Sequence, residues 1–335
     1  SGKTYTDNIP QIRKEVKGEK LLCDSVRRLV DKEPAIEHLE GLTILTHRIG
    51  ILKGYLKNVD EEGYLQARIS GLTNTLRFKH SVIVNLPGVG KPYGKYVRGV
   101  LIAPEGYELC GSDMSSLEDR VKQHYMWDFD PDYVREMQTE GWDPHLNLAE
   151  FAGALTPEQV QNHKDGTENH SRVRHLYKQA NYSCTYGSGG KKLALTLDIP
   201  IKEGQSIVDA YRGKNWAIDK IAESCKTKTI GSQKWLYNPI SRFWYSLRHD
   251  KDKFSTLNQG SGVFCFDVWI KNFRAVRSQI TGQYHDECIL TIKKGNREQC
   301  TRLLRDAIDK TNKQLKLNRE LDIDIQFGDN YAEIH

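Results

Sequence analysis

Arg174-His175-Leu176-Tyr177-Lys178-Gln179-Ala180-Asn181-Tyr182-Ser183-Cys184-Thr185-Tyr186-Gly187 places Arg174, Lys178, Tyr182 and Tyr186 at a strict spacing of four. On an α-helix each such step drifts about 40° and climbs roughly 6 Å, so the four side chains form one stripe. Two cations at one end suit a polyphosphate, two phenol rings further along suit a sugar and a base, and Gly187 is placed to end the helix. The plainer account is an amphipathic helix whose tyrosines pack into the core while Arg174 and Lys178 face water. What surrounds this stretch decides between the two.

With 335 residues and 38% apolar composition, the chain can bury one large core or several smaller ones, as a globular protein of several subdomains. No apolar run is long enough to span a bilayer, and the first residues lack a signal-peptide pattern, so the expectation is a soluble intracellular protein with no membrane partner. The start at Ser1-Gly2-Lys3, without methionine, fits a tag remnant or the cut edge of a longer protein. Seven cysteines, with no C-x-x-C pair, point to reduced thiols rather than a disulfide framework or a zinc site. A net charge of +5 is compatible with nucleic-acid binding if the positive charge gathers in one cleft.

Along the chain, a polar lysine-rich lead-in runs to about Glu37, with a helical period from Leu21 to Leu29. Helical spacing recurs from Leu42 to Leu56, and Tyr64 to Ile69 alternates like a strand. A loop rich in Gly, Pro and Tyr spans Leu86 to Gly94. Tyr107 to Gly111 reads as a strand that delivers Asp113 at its end, and Ser115 to Tyr125 as a helix. From about Asp143 to Arg248 the pattern is mostly helical and rich in Lys and Arg. A long helix from Ser255 to Val276 and a pair of apolar strands around Tyr284 to Leu290 follow. The organisation is a helical insertion between two halves of a strand-containing base.

Two acidic clusters punctuate that base: Asp113-Met114-Ser115-Ser116-Leu117-Glu118, and His285-Asp286-Glu287 in an otherwise apolar segment. Burying Asp286 and Glu287 there is costly unless a cation meets them; a turn exposed to water is the alternative. Taken together, the three segments resemble motifs A, B and C of family A DNA polymerases, in the family order. Motif A, D-x-S-x-x-E, is matched by Asp113, Ser115 and Glu118; motif B by Arg174, Lys178, Tyr182, Tyr186 and Gly187; and motif C, H-D-E, by His285, Asp286 and Glu287. The form is closest to the bacteriophage replicative branch, and the end from Gly328 to His335 is similar to that branch. Arg98 to Tyr107, Asp143-Pro144-His145 and Asn258-Gln259-Gly260 extend the likeness.

The resemblance implies an α+β chain with the right-hand polymerase fold: an antiparallel palm sheet with a helical fingers insertion, and a thumb mostly missing. Residues 1–39 are then residual thumb or lead-in, 40–142 the first part of the palm, 143–250 the fingers and 251–335 the rest of the palm. The implied activity is DNA-directed DNA synthesis, adding dNTPs to a primer 3′ end on a DNA template in phage replication, in the cytoplasm of an infected bacterial host. Asp113, Asp286 and the main-chain carbonyl of Met114 are the implied ligands of two Mg²⁺ ions, about 3.5 to 4 Å apart in such sites. Arg174, Lys178 and His145 are implied at the triphosphate, with Lys178 also a proton donor to the leaving group. Tyr182 is implied to stack on the sugar and base, and as tyrosine it goes with ready acceptance of dideoxynucleotides. Glu118, helped by a hydrogen bond to Tyr186, is the implied gate against a ribose 2′-hydroxyl. Glu287 is an implied auxiliary carboxylate, and His285, Gln259, Arg248 and Arg77 are implied contacts to the primer-template.

Single-subunit phage RNA polymerases share part of motif B but carry a small residue at the Glu118 place, methionine at the Tyr182 place and H-D-S in motif C. This sequence differs at all three. Departures from the family pattern are Leu76 in place of a glycine, Ser255 in place of an asparagine, and Asp119 in place of an apolar residue. A proofreading exonuclease needs roughly 180 residues, and only about 40 precede the palm-like region, so the expectation is a chain without one. A separate exonuclease or thumb polypeptide, or a processivity factor, is then a possible partner. A different reading is a catalytically idle DNA-binding subunit of a split polymerase; the intact Asp113, Lys178 and Asp286 argue against it.

Overall fold

The computed structural model describes residues 13–16, 19–22, 24–273 and 279–335. The chain divides into two compact units, one of residues 1–66 with 85–98 and the other of residues 67–84 with 99–335. In the first unit, Arg13–Val16 and Glu19–Leu22 form an antiparallel hairpin, and α1 (His38–Asn58) follows the turn Pro34–Glu37. The expected helix from Leu21 to Leu29 is instead a strand to Leu22 and a single turn of helix, Asp24–Arg27. The expected strand from Tyr64 to Ile69 begins only at Arg68. Asp60 and Tyr64 close a turn through two bonds, Tyr64 N–H to Asp60 Oδ1 (2.7 Å) and Asp60 N–H to Tyr64 O (3.0 Å), which removes those backbone groups from any ladder.

The second unit holds the motifs. It opens with the hairpin β1 (Arg68–Leu72) and β2 (Phe78–Ser81), then β3 (Tyr107–Met114) and α2 (Leu117–Met126). After α3 (Pro131–Met137), the helical insertion includes α4 (Pro144–Phe151), α5 (Ser171–Thr185), α6 (Gly190–Leu197) and α7 (Ile201–Lys214). A three-stranded sheet, β4 (Thr227–Ile230), β5 (Gln233–Tyr237) and β6 (Trp244–Leu247), closes it. The helical period read over that stretch was misleading: Trp235, Tyr237, Trp244 and Tyr245 favour pleated surfaces, and Gly231 at φ +60 makes the turn between β4 and β5.

The chain returns through α8 (Lys253–Asn272), β7 (Ile280–Gln283), β8 (Glu287–Lys293), α9 (Arg297–Leu315) and β9 (Ile323–Gly328). The end of the expected long helix, beyond Phe273, lies outside the described residues. Strands β9, β3, β8 and β7 make one antiparallel sheet in that order, so strands from both sides of the insertion meet edge to edge. Period-2 alternation sends Cys110 and Met114 of β3, with Cys288, Leu290 and Ile292 of β8, into a core shared with α8 and α9. Trp269 of α8 and Leu304 of α9 are fully buried there. A second core, with Leu146, Leu193, Leu197, Ile207 and Tyr211, holds the helical insertion together. Gly204 permits α6 and α7 to touch at backbone level, since a Cβ there would lie 2.6 Å from Gly190 O. This mixture of helices with an antiparallel sheet is the α+β architecture expected from the sequence. No helix among the described residues is long and apolar enough to cross a membrane.

Candidate active site

The end of the four-stranded sheet gathers the acidic residues. Asp113 sits opposite Glu287 on β8 and opposite Asp324 on β9, while Met114 N–H donates to Asp286 O at 2.9 Å. The turn between β7 and β8 therefore brings Asp286 beside Asp113. Alternation buries Met114 and exposes Asp113 on the other face. Although Asp113 keeps an edge open to solvent, partial desolvation by its surroundings first, then the nearby charges of Asp286 and Asp324, pushes its carboxyl up to about 7.

Asp324 was missed by the sequence reading. Its only signal was its place in the alternating Ile323-Asp324-Ile325, because the partner strand is set by the tertiary fold. Ser115 Oγ donates to Asp324 Oδ2 at 2.7 Å, and Ser115 N–H to Asp322 O at 3.0 Å, so the motif A serine ties β3 to β9.

The donors suit a hard divalent cation. Asp113 and Asp286 supply oxygens, their mutual repulsion falls when a cation enters, and the thioether of Met114 is in the core, which leaves only its carbonyl as a candidate ligand. Among the described residues no group of three or more His, Cys, Asp or Glu side chains makes a ready metal cage. A cation here would take its other ligands from backbone, water or substrate, as Mg²⁺ commonly does.

The Glu287 carboxylate, opposite Asp113, has partners at both oxygens: Tyr331 Oη donates to Oε2 at 3.3 Å, and His335 Nε2 lies 3.1 Å from Oε1. His285 is open to solvent on one side, its ring centroid 6.3 Å from that of His80, and partial desolvation on the other side, together with Arg77 and His80, lowers its pKa against the pull of Asp286.

Helix α5 resolves the question raised by its spacing. Tyr177, Ala180 and Cys184 face the core, while Lys178 is exposed and Tyr182 and Tyr186 remain 56% and 39% exposed. The stripe is thus the open face, and the buried tyrosine is Tyr177, outside it. Tyr186 follows the helix and Gly187, at φ +74, turns the chain away. Arg174 Nη2 and Nε reach Asp143 Oδ2 at 2.6 and 2.8 Å. Lys178 makes no hydrogen bond or ion pair among the described residues.

His145, in the first turn of α4, is buried beside this face, its ring centroid 5.9 Å from that of Tyr182 and its Nδ1 without a hydrogen-bond partner. Burial, reinforced by Arg174 and Lys178 against the opposing Asp143, pushes its pKa down to about 4.

Glu118, in the first turn of α2, joins the two regions. The Tyr186 hydroxyl donates to Oε2, and Arg77 Nη2 ion-pairs with Oε1. Gln259 lies close enough to Tyr186 to lower its pKa against the effect of burial, and Asn258 Nδ2 donates to Glu118 O at 2.9 Å. Burial lowers the Arg77 pKa, countered by Tyr186 and Asp286, and its Nε is buried without a partner. Arg248 is exposed at the end of β6, outside this cluster of contacts. Asp119, the acidic departure, is balanced by Lys122 at 2.7 Å and by Gln123 Nε2 at 2.8 Å.

Comparison with known proteins agrees with this geometry. A family model described as DNA polymerase family A matches residues 56–248. The chain is 26% identical over 309 residues to DNA polymerase I of Helicobacter pylori, covering 84% of this chain and 32% of that protein. It is 23% identical over 265 residues to the thermostable DNA polymerase I of Thermus filiformis, covering 74% and 30%. The chain thus spans about a third of the length of these relatives. In fold it is similar to the POL domain of Pol1 from M. smegmatis, solved in complex with DNA primer-template and dNTP. The TM-score there is 0.72 at 20% identity, over 97% of this chain and 59% of that one. These relatives are bacterial polymerases, so they lend no support to the bacteriophage branch expected from the motifs. The matched family, the order of the motifs and the sheet that assembles them agree: the chain belongs to DNA polymerase family A.

Proposed function

We propose that this chain is the palm and fingers of a DNA-directed DNA polymerase that adds dNTPs to a primer 3′ end on a DNA template. The observation that carries the reading is the meeting of Asp113 and Asp286 at one sheet end, with Glu118 beside them bonded to Tyr186 from the helix that carries Arg174 and Lys178. In this reading residues 143–250 are the fingers, 40–142 and 251–335 the palm, and 1–39 the lead-in.

Arg174 and Lys178 meet the triphosphate, Arg174 as a planar fork and Lys178 as a point charge and proton donor to the leaving group. His145, neutral at pH 7, offers a ring N–H to a phosphate oxygen without adding charge. Tyr182 stacks on the sugar and base. Glu118 occupies the space that a ribose 2′-hydroxyl needs, and its carboxylate is held by hydrogen bonds rather than left to rotate. Asp113 and Asp286, with the Met114 carbonyl, would hold two Mg²⁺ ions, which would supply the lowered pKa of the primer 3′-hydroxyl and the charge stabilisation of the departing pyrophosphate. His285, Gln259, Arg248 and Arg77 contact the primer-template, and Glu287 is an auxiliary carboxylate.

The finer placement in a bacteriophage replication system, in the cytoplasm of an infected host, rests on the overall form of the three motifs and on the segment from Gly328 to His335.

Primer extension with Mg²⁺ tests the reading, comparing dNTPs with rNTPs and the intact chain with Asp286→Asn. Extension by dNTPs alone, abolished by the substitution, is the expected result. Tight template binding without extension would instead identify one part of a split enzyme.

A further inference from the structure

We propose that Arg77 is a positioning residue for Glu118, fixing its carboxylate so that the sugar of the incoming nucleotide is read by a group with one orientation. The inference rests on the polymerase reading above and deepens it. A glutamate held at one oxygen can still pivot about that bond; held at both, it cannot. Here Tyr186 takes Oε2 and Arg77 takes Oε1, with the Arg77 and Glu118 side chains 21% and 27% exposed. Such a half-buried, charge-assisted contact is stronger than a surface ion pair and less screened by salt.

Arg77 is itself placed by a tight turn at the end of the hairpin β1–β2. Thr73 N–H donates to Arg77 O at 2.8 Å, Arg77 N–H to Thr73 Oγ1 at 3.1 Å, and Leu76 N–H to Thr73 O at 3.1 Å. Asn74 Nδ2 anchors the turn to Ser246 O at 3.3 Å on β6. Leu76 adopts φ +65, a left-handed conformation that a branched side chain accepts only when its surroundings impose it. The turn is therefore set by tertiary contacts, and Arg77 reaches Glu118 as a consequence.

The ratio of kcat/KM for a dNTP to that for the matching rNTP isolates this effect. Both nucleotides share the base, triphosphate and primer-template, so losses in DNA or phosphate binding cancel. The experiment measures that ratio for the full chain, Glu118→Ala, Arg77→Gln, Arg77→Lys and the double variant Arg77→Gln/Glu118→Ala, with thermal melts to confirm folding. We expect Arg77→Gln to lower the ratio about tenfold, the scale of one lost charged hydrogen bond. Arg77→Lys should fall between, since it keeps charge without the fork. Arg77→Gln should add nothing once Glu118 is alanine. Loss of the ratio in Glu118→Ala but not in Arg77→Gln overturns the inference, as does a loss of incorporation in Arg77→Gln that is equal for both sugars. Failure of the unsubstituted chain to incorporate dNTPs would overturn the polymerase reading itself.

Discussion

Asp143 holds Arg174 with one carboxylate oxygen and caps helix α4 with the other. Oδ2 accepts from Arg174 at 2.6 and 2.8 Å, while Oδ1 accepts from the N–H groups of His145 and Leu146 at 2.9 and 2.8 Å. One side chain thereby sets the position of both His145 and Arg174. Burial raises its pKa, but the Leu146 N–H, the Arg174 guanidinium and the His145 N–H outweigh this and hold it below the usual carboxylate value.

Asp143→Ala should lower stability by about 1 kcal/mol, the usual cost of a lost N-cap, and raise the KM for dNTPs several-fold because Arg174 must then be ordered on binding. Asp143→Asn keeps a capping oxygen, so its melting temperature should stay near that of the unsubstituted protein while KM still rises. Because the folded pKa is depressed, the stabilisation is present above the unfolded value and is lost as pH falls through the folded one. The gap in thermal melts between Asp143→Ala and the unsubstituted protein should narrow below about pH 4.

Asp113 has the opposite sign. Its folded pKa of about 7 lies above the ordinary 3.8, so between these values the folded state binds more protons than the unfolded state, and metal-free stability falls as pH rises. Asp113→Asn should melt higher than the unsubstituted protein at pH 8 in chelator, by about 1 kcal/mol once solvent screening at this open position is allowed for, and equally near pH 4. Added Mg²⁺ should raise the melting temperature of the unsubstituted protein at pH 8 and leave the variant little changed.

His145 is depressed to about 4, so the unfolded state takes up its proton first as pH falls from about 6.5, and stability drops over that interval. His145→Gln should lose less stability than the unsubstituted protein between pH 7 and pH 5. In the unsubstituted enzyme, a pH profile of kcat/KM should show no inflection from this residue above pH 6. An inflection near 6.5 that disappears in His145→Gln would count against a neutral imidazole at the phosphates.

Tyr182 stands 56% exposed on the open face of α5 and is free to meet a nucleotide. Tyr182→Phe removes only the hydroxyl. Dideoxynucleotides should terminate synthesis readily with tyrosine, and the variant should resist them by at least tenfold in chain-termination assays, which is about 1.4 kcal/mol of discrimination. Equal termination of both proteins would sink this role.

Much of the site was legible because its chemistry lies in short, local patterns. The spacing of four in Arg174, Lys178, Tyr182 and Tyr186 is a local helical pattern, and the structure keeps Lys178 and Tyr182 on the open face, with Arg174 half-buried and Tyr186 just past the helix end. The strand that ends in Asp113-Met114 could likewise be read from alternation, since burying Met114 obliges Asp113 to face the other way. Local pattern failed where partners are distant. The strands between Thr227 and Leu247 stabilise one another across turns, and Tyr64 was claimed by a bond to Asp60 that outcompetes a strand.

The sequence by itself determined which groups are present and in what order: carboxylates after a strand, cations and phenols along a helix, and H-D-E in a hairpin turn. Those features depend on residue type and on fixed helical and strand periods. Only the tertiary structure decided that Asp324 lies across from Asp113, that Asp143 serves both Arg174 and His145, and that Arg77 and Tyr186 close on the two oxygens of Glu118. Apart from the local cap of Asp143 on His145, these contacts join residues 31 or more apart in the chain, and no local preference specifies them. They follow from which strands pair and how the turn at Leu76 is held, because packing the core leaves one arrangement in which the backbone groups are all satisfied.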